Sequence, residues 1–480
     1  MARSIKVNFF YNALLNVSKV IFPLITAPYV ARVLGPDGVG LYNFSIMYVG
    51  YFVLFTLLGI PVYGVREIAK IRDDKEKRNQ FVSEIISIQV LLTVAVSIFF
   101  FGSLLTISQL RSNLILFLIA GISLYTSPFV IDWYFKGIED FRFITLRSLI
   151  IKVLSIICLF IFVKEKSDLI NYVLLYSVAN VANEIWNFIA LYRSGLHPHF
   201  TLIGIKQHIK PLFVLFLSSI AISIYTTLDT LMLGFISDYS EVGYYNNATH
   251  ITRSILMAIS SLAIVAMPRI SYYLKDKKMD EINSLITRSV SILAFLAFPL
   301  VAVLILVAPT FIPLFFGTDF CGSILPMQIL SLLMIATGFN NLTGTQILLS
   351  LGKDNCFLYS VLTGTISNFV LNALLIPLYG AIGASIASVV AEFAVLFMTI
   401  YYIKKKTEIN VLDWKDSFKS FISIAAIFVS YNISAHFAVG WWFVALFAIT
   451  STLLYLFCQL LFKNTSALLA VNTIMHRKNN

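Results

Sequence analysis

Apolar stretches alternate with short polar connections along the whole chain. The predicted spans are 11–31, 41–62, 84–104, 113–134, 148–163, 171–192, 211–235, 244–268, 289–312, 323–349, 357–377, 382–403, 419–437 and 441–462. A helix needs about 20 apolar residues to cross the ~30 Å hydrocarbon core of a bilayer. Apolar runs of this length are the sequence signal for such helices. The pattern predicts an all-α, polytopic membrane protein with about 14 transmembrane helices.

The distribution of Lys and Arg predicts how these helices are oriented. Of the 35 Lys and Arg residues, 28 lie on the side of the membrane that holds both termini. Three lie within spans and only four on the opposite side, namely Arg32, Arg111, Lys164 and Lys166. Cytoplasmic loops are enriched in Lys and Arg, so both termini are predicted to be cytoplasmic. The net charge of +11 then describes loops beside anionic lipid headgroups and not a nucleic-acid-binding surface.

Composition leaves little room for a soluble domain. Apolar residues make up 59% of the chain and charged residues 12%, against roughly 25% charged residues in soluble proteins. The longest connections, 63–83 and 269–288, have about twenty residues each. The sequence contains no P-loop, G-x-S-x-G or H-E-x-x-H motif and no Cys pair at metal-binding spacing, so no cofactor is expected. A membrane-integral enzyme that acts on lipid-linked sugars is therefore a disfavoured alternative.

Two pairs of similar segments indicate an internal repeat. Leu34-Gly35 with Val39-Gly40 reappears as Leu233-Gly234 with Val242-Gly243, and the segment 177–184 resembles 385–392. Both pairs relate spans one to six with spans seven to twelve in the same orientation, as in transporters built from parallel repeats. Chance similarity among small residues is the alternative explanation. The repeat predicts two pseudo-symmetric six-helix lobes, 1–210 and 211–403, and a third region, 404–480, that holds two added helices and a cytoplasmic tail.

Two predicted spans carry a polar face with a cation near the middle of the bilayer. Span one has Asn12, Asn16, Lys19, Pro23 and Thr26 on one helical face, and span eight has Asn246, His250 and Arg253 on another. Ionisable groups in a span are costly, so they usually face an aqueous cavity or each other. We therefore expect Asn16, Lys19, Asn246, His250 and Arg253 to line a central cavity suited to a phosphate or pyrophosphate group. Ion pairs that fix helix packing, for example Lys19 with Glu184, are the alternative.

Three acids inside the predicted spans are candidates for ion coupling or gating. These are Glu184, Asp229 and Glu392. For Glu184 and Glu392, contacts between packed helices are an equal alternative, because small residues surround both. His250 is a candidate either for a structural hydrogen bond or for a proton relay. Pro23 either permits a gating bend or makes a static kink.

Several motifs together resemble one family of transporters. They are R-V-L-G-P-D-G-V-G-L-Y-N at Arg32–Asn43, D-W-Y-F-K-G at Asp132–Gly137, D-x-x-M-L-G followed by V-G-Y-Y-N-x-A within Asp229–Ala248, and G-A-I-G-A-S-I-A at Gly380–Ala387. The chain resembles the Wzx or RfbX-type polysaccharide repeat-unit flippases of the multidrug/oligosaccharidyl-lipid/polysaccharide exporter superfamily, which have a MATE-like fold. The resemblance extends over essentially the whole chain.

The resemblance implies a function and a location. A member of this family moves an undecaprenyl-pyrophosphate-linked oligosaccharide from the cytoplasmic to the outer leaflet of the bacterial inner membrane, for O-antigen, capsule or exopolysaccharide synthesis. It implies basic cavity residues, for which Lys19, Arg32 and Arg253 are the matching candidates. It also implies the bilayer, a polysaccharide polymerase and a chain-length regulator as partners. A lipid II flippase and a cation-coupled multidrug exporter of the same superfamily remain alternatives.

Overall fold

The computed structural model describes residues 5–263, 270, 272–273, 278–407, 409, 411 and 414–469. All regular elements in these ranges are helices, and the predicted all-α fold class is confirmed. Within the described residues, nine helical stretches are long and apolar enough to cross a bilayer. The chain is therefore a multi-pass membrane protein, and the count of fourteen spans stays a prediction.

Packing divides the chain into two compact units, unit 1 (Met1–Phe235) and unit 2 (Ile236–Asn480). The helices up to this boundary are α1 (Ile5–Leu57), α2 (Ile60–Lys70), α3 (Lys75–Thr106), α4 (Ser108–Arg111), α5 (Leu114–Ala120), α6 (Ile122–Tyr125), α7 (Asp132–Gly137), α8 (Phe141–Phe162), α9 (Leu169–Arg193) and α10 (Lys206–Ile236). Beyond it the described helices include α11 (Tyr239–Ala263), α12 (Met279–Phe316), α13 (Ile324–Ser331), α14 (Leu333–Asn340), α15 (Asp354–Lys406), α16 (Trp414–Ile422), α17 (Ile424–Phe437) and α18 (Gly440–Leu461). The predicted boundary at 210 rests on sequence similarity and not on contacts, so the predicted lobes stay a prediction.

Two of the longest helices are interrupted by a glycine with a positive φ angle. Gly35 in α1 has φ +70°, and Gly380 in α15 has φ +50°. Each helix contains 53 residues, which would measure about 80 Å if straight at ~1.5 Å per residue. Since the bilayer core is only ~30 Å thick, each glycine separates two crossing segments. These breaks coincide with the turns predicted between spans one and two and between spans eleven and twelve.

Both glycine breaks lie beside a charged side chain from another predicted outer turn. In unit 2 a Glu241 carboxylate oxygen accepts the Ala381 N–H at 2.7 Å, directly after Gly380. This bond satisfies a backbone donor at the start of the second half of α15. In unit 1 the Lys166 side chain lies next to Gly35, where an added Cβ would be 3.5 Å from Lys166 Cε. The repeat itself stays a prediction.

The predicted fourth span, 113–134, is broken rather than continuous. Helices α5 and α6 are followed by a 3₁₀ turn at Ser127–Phe129 and then by α7. Pro128 has no N–H with which to continue the helix. The Ser127 carbonyl instead accepts a bond from Gln89 Nε2 at 3.2 Å, and the Ser127 hydroxyl bonds Thr93 Oγ1 at 2.9 Å. Side chains of α3 thus satisfy the polar groups of the break, as a membrane interior requires.

The irregular segment that joins α9 to α10 is bonded along α3. The backbone N–H groups of His197, His199 and Thr201 donate to Asn79 Oδ1 at 2.8 Å, Ser83 Oγ at 3.1 Å and Ser87 Oγ at 2.9 Å. An extended chain advances about 6.6 Å in two residues, and a helix rises about 6.0 Å in four. Because these repeats nearly match, every second amide of the segment meets every fourth residue of α3.

A buried network then fixes the start of α10. His208 Nε2 donates to Glu84 Oε2 at 2.6 Å, and the Tyr63 hydroxyl donates to His208 Nδ1 at 2.8 Å. The side chains of His208 and Glu84 are only 6% and 3% exposed. A carboxylate can only accept, which assigns the ring proton to Nε2. Gln80 and Gln207 also donate to the Glu84 carboxylate, at 2.8 Å and 3.2 Å. Helices α2, α3 and α10 are therefore tied together by one polar cluster.

The last two membrane helices pack on α12 in unit 2. The Tyr455 hydroxyl of α18 donates to the Phe295 carbonyl at 2.9 Å. Ser466, just beyond α18, bonds Ser291 Oγ at 2.7 Å. Helices α17 and α18 pair through hydrogen bonds from Ser430 and Ser434 to Thr450. Short hydroxyl side chains at these contacts allow helices to approach closely in a membrane.

Candidate substrate cavity

Helix α9 carries a polar stripe that lines a cavity inside unit 1. Asn180, Asn183, Glu184 and Asn187 are spaced i, i+3, i+4 and i+7, so they share one helical face. The cavity has a volume of about 420 Å³, within the ~300–1,000 Å³ range of small-molecule sites. The second half of α1, together with α8 and residues near α6 and α7, forms the other walls.

An ion pair between a buried arginine and a partly exposed aspartate lies at one side of this cavity. Arg147 Nη2 donates to Asp132 Oδ1 at 3.0 Å, and the Arg147 side chain is only 2% exposed. Asn187 Nδ2 donates to the same carboxylate oxygen at 2.7 Å. A charge this deeply buried needs a partner, because the cost of removing it from water is otherwise several kcal/mol. Asp132 therefore neutralises Arg147 and also holds the orientation of Asn187.

Six buried polar atoms of the lining residues have no hydrogen-bond partner in the described part of the chain. They are Arg147 Nε and Nη1, Ser123 Oγ, Asn183 Oδ1, Glu184 Oε2 and Asn187 Oδ1. Buried polar groups in folded proteins are nearly always hydrogen-bonded, so a concentration of exceptions at one cavity requires an explanation. These atoms are buried in the walls around the cavity, each with less than 1 Å² of accessible surface.

Lys152 of α8 connects the cavity to the first predicted span. Its ammonium group donates to Ser18 Oγ at 2.9 Å and lies 5.3 Å from the centre of the Phe22 ring. A cation at this distance from an aromatic face is attracted to it. Lys152 also lines the cavity. Ser18, which bonds Lys152, directly precedes Lys19, the predicted cation of span one.

Four of the predicted site residues lie on α1 with exposed side chains. They are Asn16, Lys19, Pro23 and Arg32. The Lys19 ammonium donates to Asn16 Oδ1 at 3.4 Å, as expected for residues on one helical face. Helix α1 continues through Pro23 and breaks only at Gly35. Exposure of these groups on a membrane-spanning helix is compatible with the predicted cavity role, which stays a prediction.

Glu184 lies in the cavity and Asp229 in the body of α10. Glu184 is 8% exposed, and its carboxylate is within hydrogen-bonding reach of Thr126. Among the described residues Lys19 bonds Asn16 and forms no ion pair with Glu184, and the choice between a cavity role and a packing role for Lys19 stays open. Asp229 is 4% exposed. Its neighbour Thr227 bonds the Tyr51 hydroxyl at 3.1 Å, which joins α10 to α1.

The predicted residues of unit 2 lie on α11 and α15. Asn246 is buried and donates to the Val242 carbonyl at 2.9 Å, whereas His250 and Arg253 are exposed and lie near each other. Glu392 accepts a bond from Asn340 Nδ2 at 2.6 Å, and the same amide reaches the Glu392 carbonyl at 2.9 Å. These two hydrogen bonds hold α14 against α15, as expected for a residue with a packing role. A shared cleft for Lys19 and Arg253 stays a prediction.

Sequence reasoning missed three residues of the unit 1 cavity. Arg147 lies one residue before the predicted span 148–163, Lys152 lies within that span, and Asp132 lies near the end of the predicted span 113–134. The spacing of Asn180, Asn183 and Asn187 around Glu184 was a readable signal for a polar helical face. Arg147 bonds Asp132 and Lys152 bonds Ser18, both on other helices, so no local sequence pattern indicates these contacts.

The chain is similar in sequence to two protein families and to several transport and polysaccharide biosynthesis proteins. The family model described as polysaccharide biosynthesis protein matches residues 5–274, and the MatE model matches residues 215–374. An Escherichia coli K12 protein named "Putative O-antigen transporter" is 25% identical over 403 residues, which cover 84% of this chain and 97% of the relative. Capsular polysaccharide biosynthesis protein CapF of Staphylococcus aureus is 24% identical over 410 residues, with 83% and 99% covered.

Solved structures of two transporter types have a similar fold. The inward closed conformation of the lipid II flippase MurJ has a TM-score of 0.75 at 17% identity, covering 95% of this chain and 98% of that one. An inward-facing multidrug transporter of the MATE family gives 0.59 at 15% identity, covering 81% and 96%. At these identities the similarity shows the fold alone, and the MATE-like fold class is confirmed. Since the family model spans more than half of its residues, the chain belongs to the polysaccharide biosynthesis protein family.

Proposed function

We propose that this chain is a flippase that moves a lipid-linked oligosaccharide across a membrane for the synthesis of a surface polysaccharide. The observation that carries the proposal is the polar cavity of unit 1, whose lining residues fall between Ile46 and Asn187. All of them lie inside the segment matched by the family model, 5–274. A sugar headgroup cannot enter lipid without losing its hydrogen bonds to water, which costs several kcal/mol for each polar group. A polar cavity in a membrane-spanning bundle offers replacement bonds.

The relatives support the same assignment. The O-antigen transporter and the capsular polysaccharide protein both align with more than four fifths of this chain. A flippase named in low-salt glycan biosynthesis in Haloferax volcanii is 22% identical over 247 residues. These relatives are named for the transport or the synthesis of three different glycans. Their common requirement is the passage of a lipid-attached glycan through a bilayer, and this is the activity we assign.

Our proposal extends to the carrier lipid and the orientation. The substrate is an undecaprenyl-pyrophosphate-linked repeat unit that moves from the cytoplasmic to the outer leaflet of a bacterial inner membrane. Both termini are cytoplasmic, as the distribution of Lys and Arg favours. Lys19 and Arg253, with Arg32, contact the pyrophosphate, because cations form strong charge-assisted bonds with phosphate oxygens. A polymerase and a chain-length regulator act on the unit after its release.

Complementation tests this proposal. The gene is expressed in a bacterium that lacks its own repeat-unit flippase, and surface polysaccharide is measured against the empty vector. We expect polysaccharide to be restored, and K19Q or R253Q to reduce it at matched expression. K404Q is the control, because Lys404 is an exposed lysine at the end of α15. If the gene restores polysaccharide in none of several hosts with different repeat units, but rescues a strain depleted of its lipid II flippase, the chain is a lipid II flippase and our assignment is wrong.

A further inference from the structure

Unit 1 contains a second concave surface, an apolar groove with a volume of about 510 Å³, which we call the α3 groove. One wall is a single face of α3, because its lining residues are spaced i, i+3, i+4, i+7, i+8 and i+11. They are Val90, Thr93, Val94, Ser97, Ile98 and Phe101. The other wall is formed by the broken part of the predicted fourth span, through Tyr125, Pro128 and Phe129.

The walls of the α3 groove are held in place by contacts between aromatic rings. The Phe101 and Tyr125 rings stack with their centres 5.8 Å apart, and Phe129 packs edge-on against Phe188 of α9 at 5.2 Å. The Tyr125 hydroxyl is buried, so the ring of this side chain and not its polar end faces the groove. Fixed rings of this kind give the groove a shape before any ligand enters.

The α3 groove is open toward the hydrocarbon of the bilayer. Helix α3 is one of the stretches long and apolar enough to cross a membrane, and its groove residues Val94 and Ile98 are 60% and 69% exposed. Irregular backbone at this depth must have its polar groups satisfied. Gln89 and Thr93 bond the Ser127 carbonyl and hydroxyl, so these groups are not left facing a hydrocarbon chain in the groove.

The broken segment lies between the α3 groove and the polar cavity of unit 1. Ser123 and Val130 of this segment line the cavity. Tyr125, Pro128 and Phe129, which lie between them in sequence, line the groove. Ser123 and Tyr125 are two positions apart on α6, so their side chains do not share a face of that helix. A polar surface and an apolar surface thus share one short wall, which fits an amphiphile with a polar head and a hydrocarbon tail.

We propose that the α3 groove binds a stretch of the polyprenyl tail of the substrate. This inference rests on the proposed flippase function, in which polar groups of the protein receive the headgroup and the tail stays in the hydrocarbon. Lipid is as apolar as the groove, so preference for one chain depends on close packing against a fixed surface. The methyl branches and double bonds of a polyprenyl chain add contacts with the aromatic wall that a straight saturated acyl chain lacks.

Photo-crosslinking with two lipids tests which chain occupies the α3 groove. The full-length chain in phospholipid nanodiscs is irradiated with a polyprenyl diphosphate that carries a diazirine on its tail. A parallel sample contains a phosphatidylglycerol with the diazirine on an acyl chain, and mass spectrometry maps the modified residues. We expect the polyprenyl probe to label both groove walls and to be displaced by unlabelled polyprenyl phosphate but not by excess phosphatidylglycerol. No adducts in the groove, or adducts of either probe that polyprenyl phosphate does not displace, would overturn the proposal.

A matched pair of isoleucine variants controls for indirect effects. Ile98 lies in the groove, and Ile366 of α15 in unit 2 has a similar exposure of 63%. I98W fills part of the groove and should reduce polyprenyl adducts roughly fivefold, the effect of about ten lost contacts between heavy atoms. I366W should leave them unchanged. Equal losses in both variants contradict a direct role, and the displacement series on the unaltered chain decides the matter if I98W unfolds.

The tail groove and the flippase function fail separately. Restored surface polysaccharide without displaceable adducts in the α3 groove rejects the tail site and retains the flippase. Adducts displaced by polyprenyl phosphate, without complementation in any flippase-deficient host, retain a groove for polyprenyl chains and reject the transport assignment.

Discussion

At the scale of single residues, Arg147 shows how a buried charge organises the cavity of unit 1. Its guanidinium uses one nitrogen for Asp132 and Ser148 and leaves two nitrogens without partners in the described structure. The planar group is thus held by the protein on one side, and its other two nitrogens are buried. Asp132 binds both Arg147 and Asn187, so a single carboxylate positions two residues of the lining.

We expect the Asp132 and Arg147 side chains to be strongly coupled in a double-mutant cycle. D132N leaves Arg147 buried without its counter-charge, and R147Q leaves Asp132 with Asn187 alone. Each single change should lower the unfolding midpoint of the detergent-purified protein. The double variant should lose less than the two single effects together, with a coupling energy of about 0.5–3 kcal/mol. Strictly additive losses would show that the pair does not contribute as a unit.

The role of a residue was predictable from sequence only where the local pattern of apolar and polar residues makes it stand out. Lys19 and Arg253 stand out as cations in apolar spans, and Glu184 stands out among small residues. By contrast, Lys152 bonds Ser18, and the two are 134 positions apart. The role of Lys152 depends on packing between α8 and α1, which hydropathy does not encode. Arg147 resembles an ordinary loop cation until the structure shows it buried.

At the scale of secondary-structure elements, the connection from α9 to α10 is held more firmly than its irregular backbone suggests. Three of its amide groups bond α3, and the buried pair of His208 and Glu84 follows directly. Asp74 caps the same helix α3 by accepting the Lys77 N–H at 3.0 Å. That bond and the Lys77 ammonium hold the pKa of Asp74 below its usual value. Helix α3 is thus a fixed support for the connection.

Hydrogen exchange should report the bonds between this connection and α3. S83A removes the acceptor of the His199 N–H, and we expect that amide to exchange about two- to twelvefold faster, since one such bond is worth roughly 0.5–1.5 kcal/mol. The control is S289A, because within the described part of the chain Ser289 bonds only the Leu285 carbonyl of its own helix, at 2.9 Å. Unchanged exchange at His199 in S83A would contradict a stabilising role for the bond.

Loss of His208 should destabilise unit 1 more than any of the amide bonds. H208L leaves the buried Glu84 carboxylate without its nearest hydrogen-bond donor, which costs about 1–3 kcal/mol and more for a charged acceptor. The unfolding midpoint in nanodiscs measures this effect, with H436L as the exposed-histidine control. We expect H208Q to retain part of the stability, because its amide can still donate to Glu84. Equal midpoints for H208L and H436L would refute the expectation.

Most helices were predictable, and the breaks within them were less so. The sixth span, predicted at 171–192, is α9 (Leu169–Arg193), because its apolar residues stand between polar ends. The turn at Gly35 follows from Gly35-Pro36, a pair that disrupts a helix. The break at Ser127–Phe129 is different, since its polar groups bond Gln89 and Thr93 of α3. That compensation is tertiary, so hydropathy alone indicated one continuous span.

At the scale of the whole molecule, we expect the membrane potential to influence transport. Moving one charge through 100 mV is worth about 2.3 kcal/mol, so a headgroup of charge near −2 gains about 4.6 kcal/mol when it leaves a negative compartment. In proteoliposomes, an imposed potential should accelerate movement away from the negative side. If only a proton or sodium gradient changes the rate, coupling through Glu184, Asp229, Glu392 or His250 replaces this expectation.

The most direct measurement follows the headgroup of a purified lipid-linked oligosaccharide in proteoliposomes that contain this chain. A membrane-impermeant enzyme modifies only sugars exposed on the outer leaflet. We predict that the modified fraction rises above that of protein-free liposomes, and that K19Q combined with R253Q reduces this rise while K404Q does not. A fraction equal to that of protein-free liposomes, with substrates of several sugar compositions, would contradict the assignment of this chain as a flippase.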